Sequence, residues 1–397
     1  MTADVLENKA LLAAPQDDKS PASTVMVGVA RTHDLSPLAQ MRQMMTLRFG
    51  PGKIAQSEYY AYRLFDPGLD MAQKREFVGR IGSWAINDRL NPTKLTGSRV
   101  FVADKVMYTA LLRQLGLPTT HTQGVASQNR HFGNIPALRD PADLRDFLRD
   151  KAVFPLFGKP CEGRGSVGSA MLTGIEDGQI IMGNGERCDL LAFCTEVFVD
   201  YPEGFIFQSA LQQHQTLSDV AGPAIGTIRV VTVRDSDSAR VLYSVWKIPS
   251  PQAMSDNFWQ SGSMLAQVDD HGQVGKAWVG TGLDGRFIDI HPVSQTRFDA
   301  VQVPDWHRVQ KIASDAHALF PEFGIIGWDI GITPNGPVII EANDNPYHAL
   351  WQMPEGRGIG NSDFMPVFDQ AAQKSQDILQ AKIDMFKIRQ RAKGRRA

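Results

Sequence analysis

Only three cysteines occur in the 397 residues, Cys161, Cys188 and Cys194, and none stands in a CxxC pair or at metal-finger spacing. That excludes a disulfide framework, fits a reducing compartment and leaves the cysteines as packing residues. Long apolar runs are also missing. No stretch approaches the length of a membrane span, and the first residues, MTADVLENKALLAAPQDDKSPAST, lack the basic and apolar regions of a secretion signal. The expectation is a cytoplasmic protein with no membrane insertion. A net charge of -2, with 21% charged residues, gives no basic excess of the kind that nucleic-acid binding needs. The nine histidines form no HxH or HExxH pattern, and no Ser/His/Asp or Cys/His nucleophile arrangement is recognisable. His214, in QQHQTL, reads as a surface or satisfied polar residue.

What is present is a chain too long for one core, so two or three subdomains sharing clefts are expected. Residues 1–36 are polar and Pro-containing and read as a loosely held tail. From Leu38 to Leu90 the apolar spacing is helical, as in EYYAYRLF and KREFVGRIGSWAI. SRVFVADKVMYTALLRQLGLPTT reads as a short strand running into an Asp-led helix that stops at Gly116. A helix is expected at 141–150, another at 306–319 and a last one from about 363 to 390, ending in a basic, solvated terminus. Between them lie strand candidates in AVFPLFGKP, EGFIFQSAL, GTIRVVTVRD and ARVLYSVWKIP.

The most informative stretch is GIIGWDIGITPNGPVIIEANDNP, residues 324–346, two apolar strands around a Pro-Asn-Gly turn. A three-residue loop, with Gly336 in the left-handed position, pairs Thr333 with Pro337. Counting back in twos, Asp329 then faces Glu341, and Asn343 shares their face. The opposite face collects Trp328, Ile330, Ile332, Val338 and Ile340. A two-residue loop would move Asp329 to the other face. Facing carboxylates on a half-buried sheet repel unless a cation lies between them, and oxygen ligands suit Mg²⁺ or Mn²⁺. The competing account is an exposed hairpin with a wetted polar face. The wholly apolar partner face and the adjoining Asp344-Asn345-Pro346 favour the metal site.

In FGKPCEGRGSVG, Lys159 ends a strand and Gly163, Gly165 and Gly168 form a turn whose backbone can approach a polyanion. It is not the Walker pattern, and a plain hairpin competes. Arg229 lies inside TIRVVTV, a run that reads as a buried strand, so its guanidinium must be paired, with phosphate oxygens or with a structural carboxylate. SDNFWQSG, containing Asp256 and Asn257, reads as a loop at a ligand edge.

Together these segments resemble the ATP-grasp superfamily, and within it the sugar-transfer-associated group, over about Glu58 to Pro346. The resemblance implies an α+β fold: two α+β subdomains clasping ATP, at 101–207 and 208–362, after a mainly helical region at 37–100 and before a C-terminal helix and basic tail at 363–397. It implies that Asp329, Glu341 and Asn343 hold Mg²⁺ on the ATP phosphates, with Mn²⁺ as a substitute. Lys105 and Lys159 would contact phosphates under a loop comprising Gly163, Gly165, Ser166 and Gly168. Gln208, Ser209, Ala210 and Leu211 would form the adenine hinge, with Asp256 and Asn257 at the nucleotide's edge. Arg229, Lys159 and Asn343 would act on the transferring phosphoryl group. The sequence departs from the group's pattern at Gly226-Thr227, where Asn-Thr is usual, and at Ser261-Gly262, where paired glycines are usual. Both positions bear on the acceptor.

Phosphoryl transfer requires charge neutralisation and alignment more than a protein nucleophile. The expected activity is an ADP-forming ligase joining a small-molecule carboxylate to an amine through an acylphosphate. A kinase acting on a hydroxyl and a non-catalytic nucleotide-binding module are the alternatives. Tyr59, Tyr60, Trp259, His348 and Arg357 are candidate acceptor-pocket residues. Oligomeric state is left open, a homo-oligomer included.

Overall fold

The computed structural model describes residues 11, 22–163, 166–251, 253–258 and 260–394. Seven helices come first: α1 (Ala22–Thr32), α2 (Pro37–Phe49), α3 (Gln56–Ala61), α4 (Met71–Glu76), α5 (Arg80–Leu90), α6 (Arg99–Ala103) and α7 (Lys105–Gln114). Two of them correct the sequence reading. Residues 22–32, assigned to the tail, form α1, and its Val29 is fully buried. Residues 99–103, read as a strand, form α6, in which the Val102 N–H bonds the Ser98 carbonyl at 3.0 Å. A five-residue apolar run is too short for periodicity to separate helix from strand. The expected cap of α7 is present. Asp104 accepts from the Val106 and Met107 N–H groups, both at 3.0 Å, and Gly116 follows the helix at φ +78°.

The first sheet holds β1 (Thr122–Ala126), β2 (Ala137–Leu138), β3 (Leu156–Pro160), β4 (Ala170–Glu176), β5 (Gln179–Met182), β6 (Arg187–Asp189) and β7 (Phe205–Ser209). Their order is β2-β1-β7-β3-β4-β5-β6. Helices α8 (Pro141–Asp150) and α9 (Leu190–Asp200) bury Leu144, Phe147, Phe193 and Val197 in one core with Leu156, Phe205 and Phe207.

After α10 (Gln215–Ala221), the second sheet contains β8 (Ile228–Val233), β9 (Arg240–Ile248), β10 (Met264–Val268), β11 (Val274–Val279), β12 (Arg286–Ile288), β13 (Ile325–Thr333) and β14 (Gly336–Asn343). Its order is β12-β11-β10-β9-β8-β13-β14. One face packs on α11 (Trp306–Ala318) through Val230, Trp246, Trp328, Ile330 and Ile332. On the other face, Val231, Val233, Tyr243, Val245 and Ile325 lie under the N-terminal helices, α12 (Ala349–Glu355) and α13 (Met365–Gly394). No helix among the described residues is long and apolar enough to cross a membrane.

The β13–β14 hairpin differs from expectation in its turn and agrees in its register. Thr333 pairs with Gly336, so the loop has two residues, Pro334 and Asn335. By itself that would set Asp329 against Ile340. A bulge between Ile330 and Asp329 absorbs one residue of β14, and Asp329 faces Glu341 as expected. Three contacts fix the bulge: Ile339 N–H to the Pro118 carbonyl at 2.9 Å, Thr119 hydroxyl to the Ile339 carbonyl at 2.9 Å, and Tyr108 hydroxyl to the Ile340 carbonyl at 2.7 Å. The bulge also changes the core. Ile339, not Val338 or Ile340, is fully buried opposite Ile330, and Ile340 turns to the other side.

Asn91, just past α5, ties the helical region to both ends of this hairpin. Its amide donates to the Ile325 and Asp344 carbonyls at 2.9 and 2.8 Å and accepts from the Gly324 and Ile325 N–H groups at 2.8 and 3.1 Å. Asn91→Ala should therefore destabilise the protein by roughly 3–5 kcal/mol in urea unfolding, because buried backbone groups lose their partners. Asn91→Asp, which keeps the acceptor, should lose less. Equal losses for the two substitutions would contradict this account.

Candidate active site

Four charged residues of the second sheet stand in a row across adjacent strands: Lys247 on β9, Arg229 on β8, Asp329 on β13 and Glu341 on β14. Arg229 and Asp329 are register partners. The guanidinium donates to both carboxylate oxygens, Nε to Oδ1 at 2.5 Å and Nη2 to Oδ2 at 3.0 Å. Lys247 Nζ lies 3.1 Å from Asp329 Oδ2 and 3.1 Å from Asp256 Oδ2. Asp256 also accepts from the Thr227 N–H at 3.1 Å and from the Thr227 hydroxyl.

These charges are buried, and their ionisation reflects one another. Burial opposes ionisation of the Asp329 carboxyl, but Arg229 and Lys247 overcome it and hold the group well below the usual carboxylate range. Burial likewise acts against the Lys247 ammonium, and Asp256 and Asp329 outweigh it, raising its pKa. The buried Arg229 thus has the structural carboxylate partner that the sequence left open, and it meets it on the wall of a cavity.

That cavity has a volume of about 920 Å³ and lies between the two sheets and the helical region. From the first sheet and its loops come Lys159, Gly163, Ser166, Gln208, Ser209 and Leu211; from α7, Lys105; from the second sheet, Arg229, Asp329, Glu341 and Asn343; and from the connection between β9 and β10, Asp256 and Asn257. Ala210 does not line it, and its N–H is donated to the Pro155 carbonyl at 2.9 Å. The Leu211 N–H has no partner among the described residues. Gly168, at φ +79°, stands where a Cβ would meet the Tyr201 hydroxyl at 2.2 Å, so only glycine fits this corner of the loop. Gly165 lies outside the described residues.

Lys105 comes to the hairpin from α7 and Lys159 from β3. Lys105 Nζ lies 3.5 Å from Glu341 Oε1 and donates to the Gly163 carbonyl at 3.1 Å. Lys159 is buried, and among the described residues nothing hydrogen-bonds its ammonium. Burial lowers its pKa to about 8, only partly opposed by Glu341. Six basic and six acidic described residues line the cavity as a whole; at the hairpin Lys105, Arg229 and Lys247 pair with Glu341, Asp329 and Asp256, while Lys159 has no such partner among the described residues, which leaves one cation for an anionic ligand.

The facing carboxylates expected to need a metal are met in part by protein cations. Among the described residues no cluster of three His, Cys, Asp or Glu side chains forms a metal cage. The donors still suit a hard cation. Glu341 is half-buried, Asp329 Oδ1 accepts one bond, and the Asn343 Nδ2 is buried without a partner. The other amide orientation, equivalent in shape, turns the Asn343 oxygen to that position.

The acceptor candidates fare differently. Tyr59, Tyr60 and His348 are buried in the core, Arg357 borders a separate cavity of about 310 Å³, and Trp259 lies outside the described residues. In their place Arg80, Trp84, Arg99 and Tyr347 line the large cavity. Lys247 was legible by the reasoning that found Arg229, a cation inside an apolar strand, in VLYSVWKIP.

Asp329→Ala should cost roughly 3–5 kcal/mol in urea unfolding, since Arg229 and Lys247 would lose a buried counter-charge. The double substitution Arg229→Met with Asp329→Leu should lie nearer the wild type. A double variant at least as unstable as the single one would overturn the buried-pair account.

A family model described as sugar-transfer associated ATP-grasp matches residues 86–364. No curated protein matches the chain. Among solved structures the chain is similar to the D-alanine-D-alanine ligase from Coxiella burnetii, at 14% identity over 79% of this chain and 70% of that one, with a TM-score of 0.44. It is similar to D-alanine-D-alanine ligase from Bacillus anthracis at 13% identity over 71% and 70%, TM-score 0.39. A third is the ATP-grasp ligase PsnB complexed with a minimal precursor, Mg and ADP, at 15% identity over 72% and 62%, TM-score 0.34.

Proposed function

Because the chain belongs to the sugar-transfer associated ATP-grasp family, we propose that it is an ATP- and Mg²⁺-dependent ligase that joins a small-molecule carboxylate to an amine. The observation that carries this reading is the row Lys247–Arg229–Asp329–Glu341 facing Lys159 and Lys105 across one cavity. Lys105 and Lys159 hold the ATP phosphates, the loop from Gly163 to Gly168 covers them, and the Leu211 N–H serves as the hinge donor to adenine. Asp329, Glu341 and Asn343 would hold Mg²⁺, or Mn²⁺, which when bound neutralises charge on the phosphates.

Arg229 is the group best placed for the transferring phosphoryl. Asp329 fixes its Nε and Nη2, and among the described residues Nη1 has no partner. A preoriented donor of this kind stabilises charge developing in the transition state without reorganising. The acid's carboxylate oxygen attacks the γ-phosphorus as the bond to ADP breaks. The amine nitrogen then adds to the acyl carbon, phosphate departs, and the amine releases a proton. Enclosure by the glycine-rich loop protects the acylphosphate from water.

Product analysis with Mg·ATP, a panel of carboxylates and hydroxylamine tests the reading. Hydroxamate, ADP and phosphate should form together and be lost in Glu341→Gln. A phosphorylated acceptor without free phosphate would replace the ligase by a kinase, and thermal stability indifferent to Mg·ATP would leave only a non-nucleotide module.

The low pKa of Lys159 yields a second expectation. Free protein loses the ammonium as pH rises through about 8, whereas phosphate binding favours the charged form. The complex therefore holds more protons than the free protein above that pH, and Mg·ATP affinity should weaken as pH rises. Calorimetry at pH above 8 in buffers of different ionisation enthalpy should detect proton uptake on binding, absent in Lys159→Met. Equal proton linkage in the two proteins would remove Lys159 from the phosphate site.

A further inference from the structure

One wall of the large cavity is built by the first turns of α5, whose residues 80–85 precede the part of the chain that the family model matches. Arg80 and Trp84 are one turn apart on this helix, so their side chains share a face, and both line the cavity. Trp84 is 44% exposed, a large aromatic surface kept open to the cavity rather than packed into the core. The Arg80 guanidinium forms no salt bridge among the described residues; the neighbouring Glu58 carboxylate accepts instead from the Arg80 and Ala55 N–H groups, at 2.6 and 2.7 Å. The guanidinium lies 6.0 Å from the centre of the Tyr347 ring, and Tyr347 is itself fixed by a 2.8 Å hydrogen bond between its hydroxyl and that of Tyr62.

Arg80 is separate from the phosphate-facing charges. It lies with Tyr62 and Tyr347, on which the nearby Glu58 acts in the opposite sense. Helix α5 is anchored just past the end of β14, where the Asn87 amide donates to Asn345 Oδ1 at 2.6 Å and to the Pro346 carbonyl at 2.9 Å. The cavity therefore has a second cationic end, next to an open aromatic face, beyond the hairpin that bears Glu341 and Asn343.

Resting on the ligase reading for the identity of the first substrate, we propose that Arg80, Trp84 and Tyr347 form the subsite for the far end of the acid, and that this acid is ring-bearing with a second anionic group. The ring lies against Trp84, the second anion meets Arg80, and the reacting carboxylate extends toward Arg229. A guanidinium with no carboxylate partner has its strongest available bond with such an anion.

Three probes separate the two features: terephthalate, with a ring and two carboxylates; benzoate, with the ring and one; and adipate, with two carboxylates and no ring. Binding is measured by calorimetry on the full chain with Mg²⁺ and a non-hydrolysable ATP analogue. Terephthalate should bind more tightly than either other probe. Arg80→Gln and Trp84→Ala should each weaken it roughly tenfold while Trp84→Phe retains it, with the melting temperature and nucleotide affinity of all three variants unchanged. The proposal is overturned if terephthalate has no advantage over benzoate and adipate, or if Arg80→Gln leaves its affinity unchanged. The ligase reading fails separately: Arg80-dependent terephthalate binding without ADP or hydroxamate formation from any carboxylate would retain the subsite and remove the ligase.

Discussion

The bidentate contact between Arg229 and Asp329 joins the two central strands of the charged row, and the remaining charges take their positions from it. Lys247 completes the Asp329 shell from β9, and Glu341 stands opposite Asp329 on β14. The backbone ladder fixes these strands, so the charges cannot separate to find water, and each must be satisfied by a neighbour or a ligand. The same face, followed toward Val231, Val233 and Ile325, turns apolar and is covered by helices. The cavity opens where that cover ends and the charges begin.

Register makes this possible, and the register is held from outside the hairpin. The two-residue loop alone would bring Ile340 opposite Asp329, and the bulge restores Glu341 to that position. Pro118, Thr119 and Tyr108, which hold the bulge, belong to α7 and the segment just after it. The helix that carries Lys105 to the cavity therefore also fixes Glu341. A shift of α7 would move both, so the two sides of the site are mechanically linked rather than independently placed.

The convergence of Asp329, Glu341 and Asn343 was legible in the sequence because side chains alternate along strands. The turn was not, because Pro-Asn-Gly supports loops of either length and the bulge depends on partners more than two hundred residues away. Val338 and Ile340 were assigned to the core for the same reason. Arg229 announced itself as a cation in an apolar strand, and Lys247 carries the same signal. Arg80 and Trp84 carry none: a polar helix face facing a cavity and one facing solvent read alike until tertiary packing places them.

Charge balance also bears on how a metal would be held under the proposed reading. Arg229 and Lys247 already neutralise Asp329, and Lys105 stands beside Glu341, so little negative charge is left for a free divalent ion. Lys159, buried and without a hydrogen-bond partner among the described residues, adds a cation beside the hairpin that no carboxylate pairs. Nucleotide phosphates would reverse the balance, supplying the missing negative charge and drawing the lysines toward themselves. Mg²⁺ sites commonly depend on substrate phosphates in this way. Under the proposed reading the site would take metal and nucleotide together, and the cations that compete with a metal for the carboxylates would be the groups that favour the metal–nucleotide complex over the metal alone.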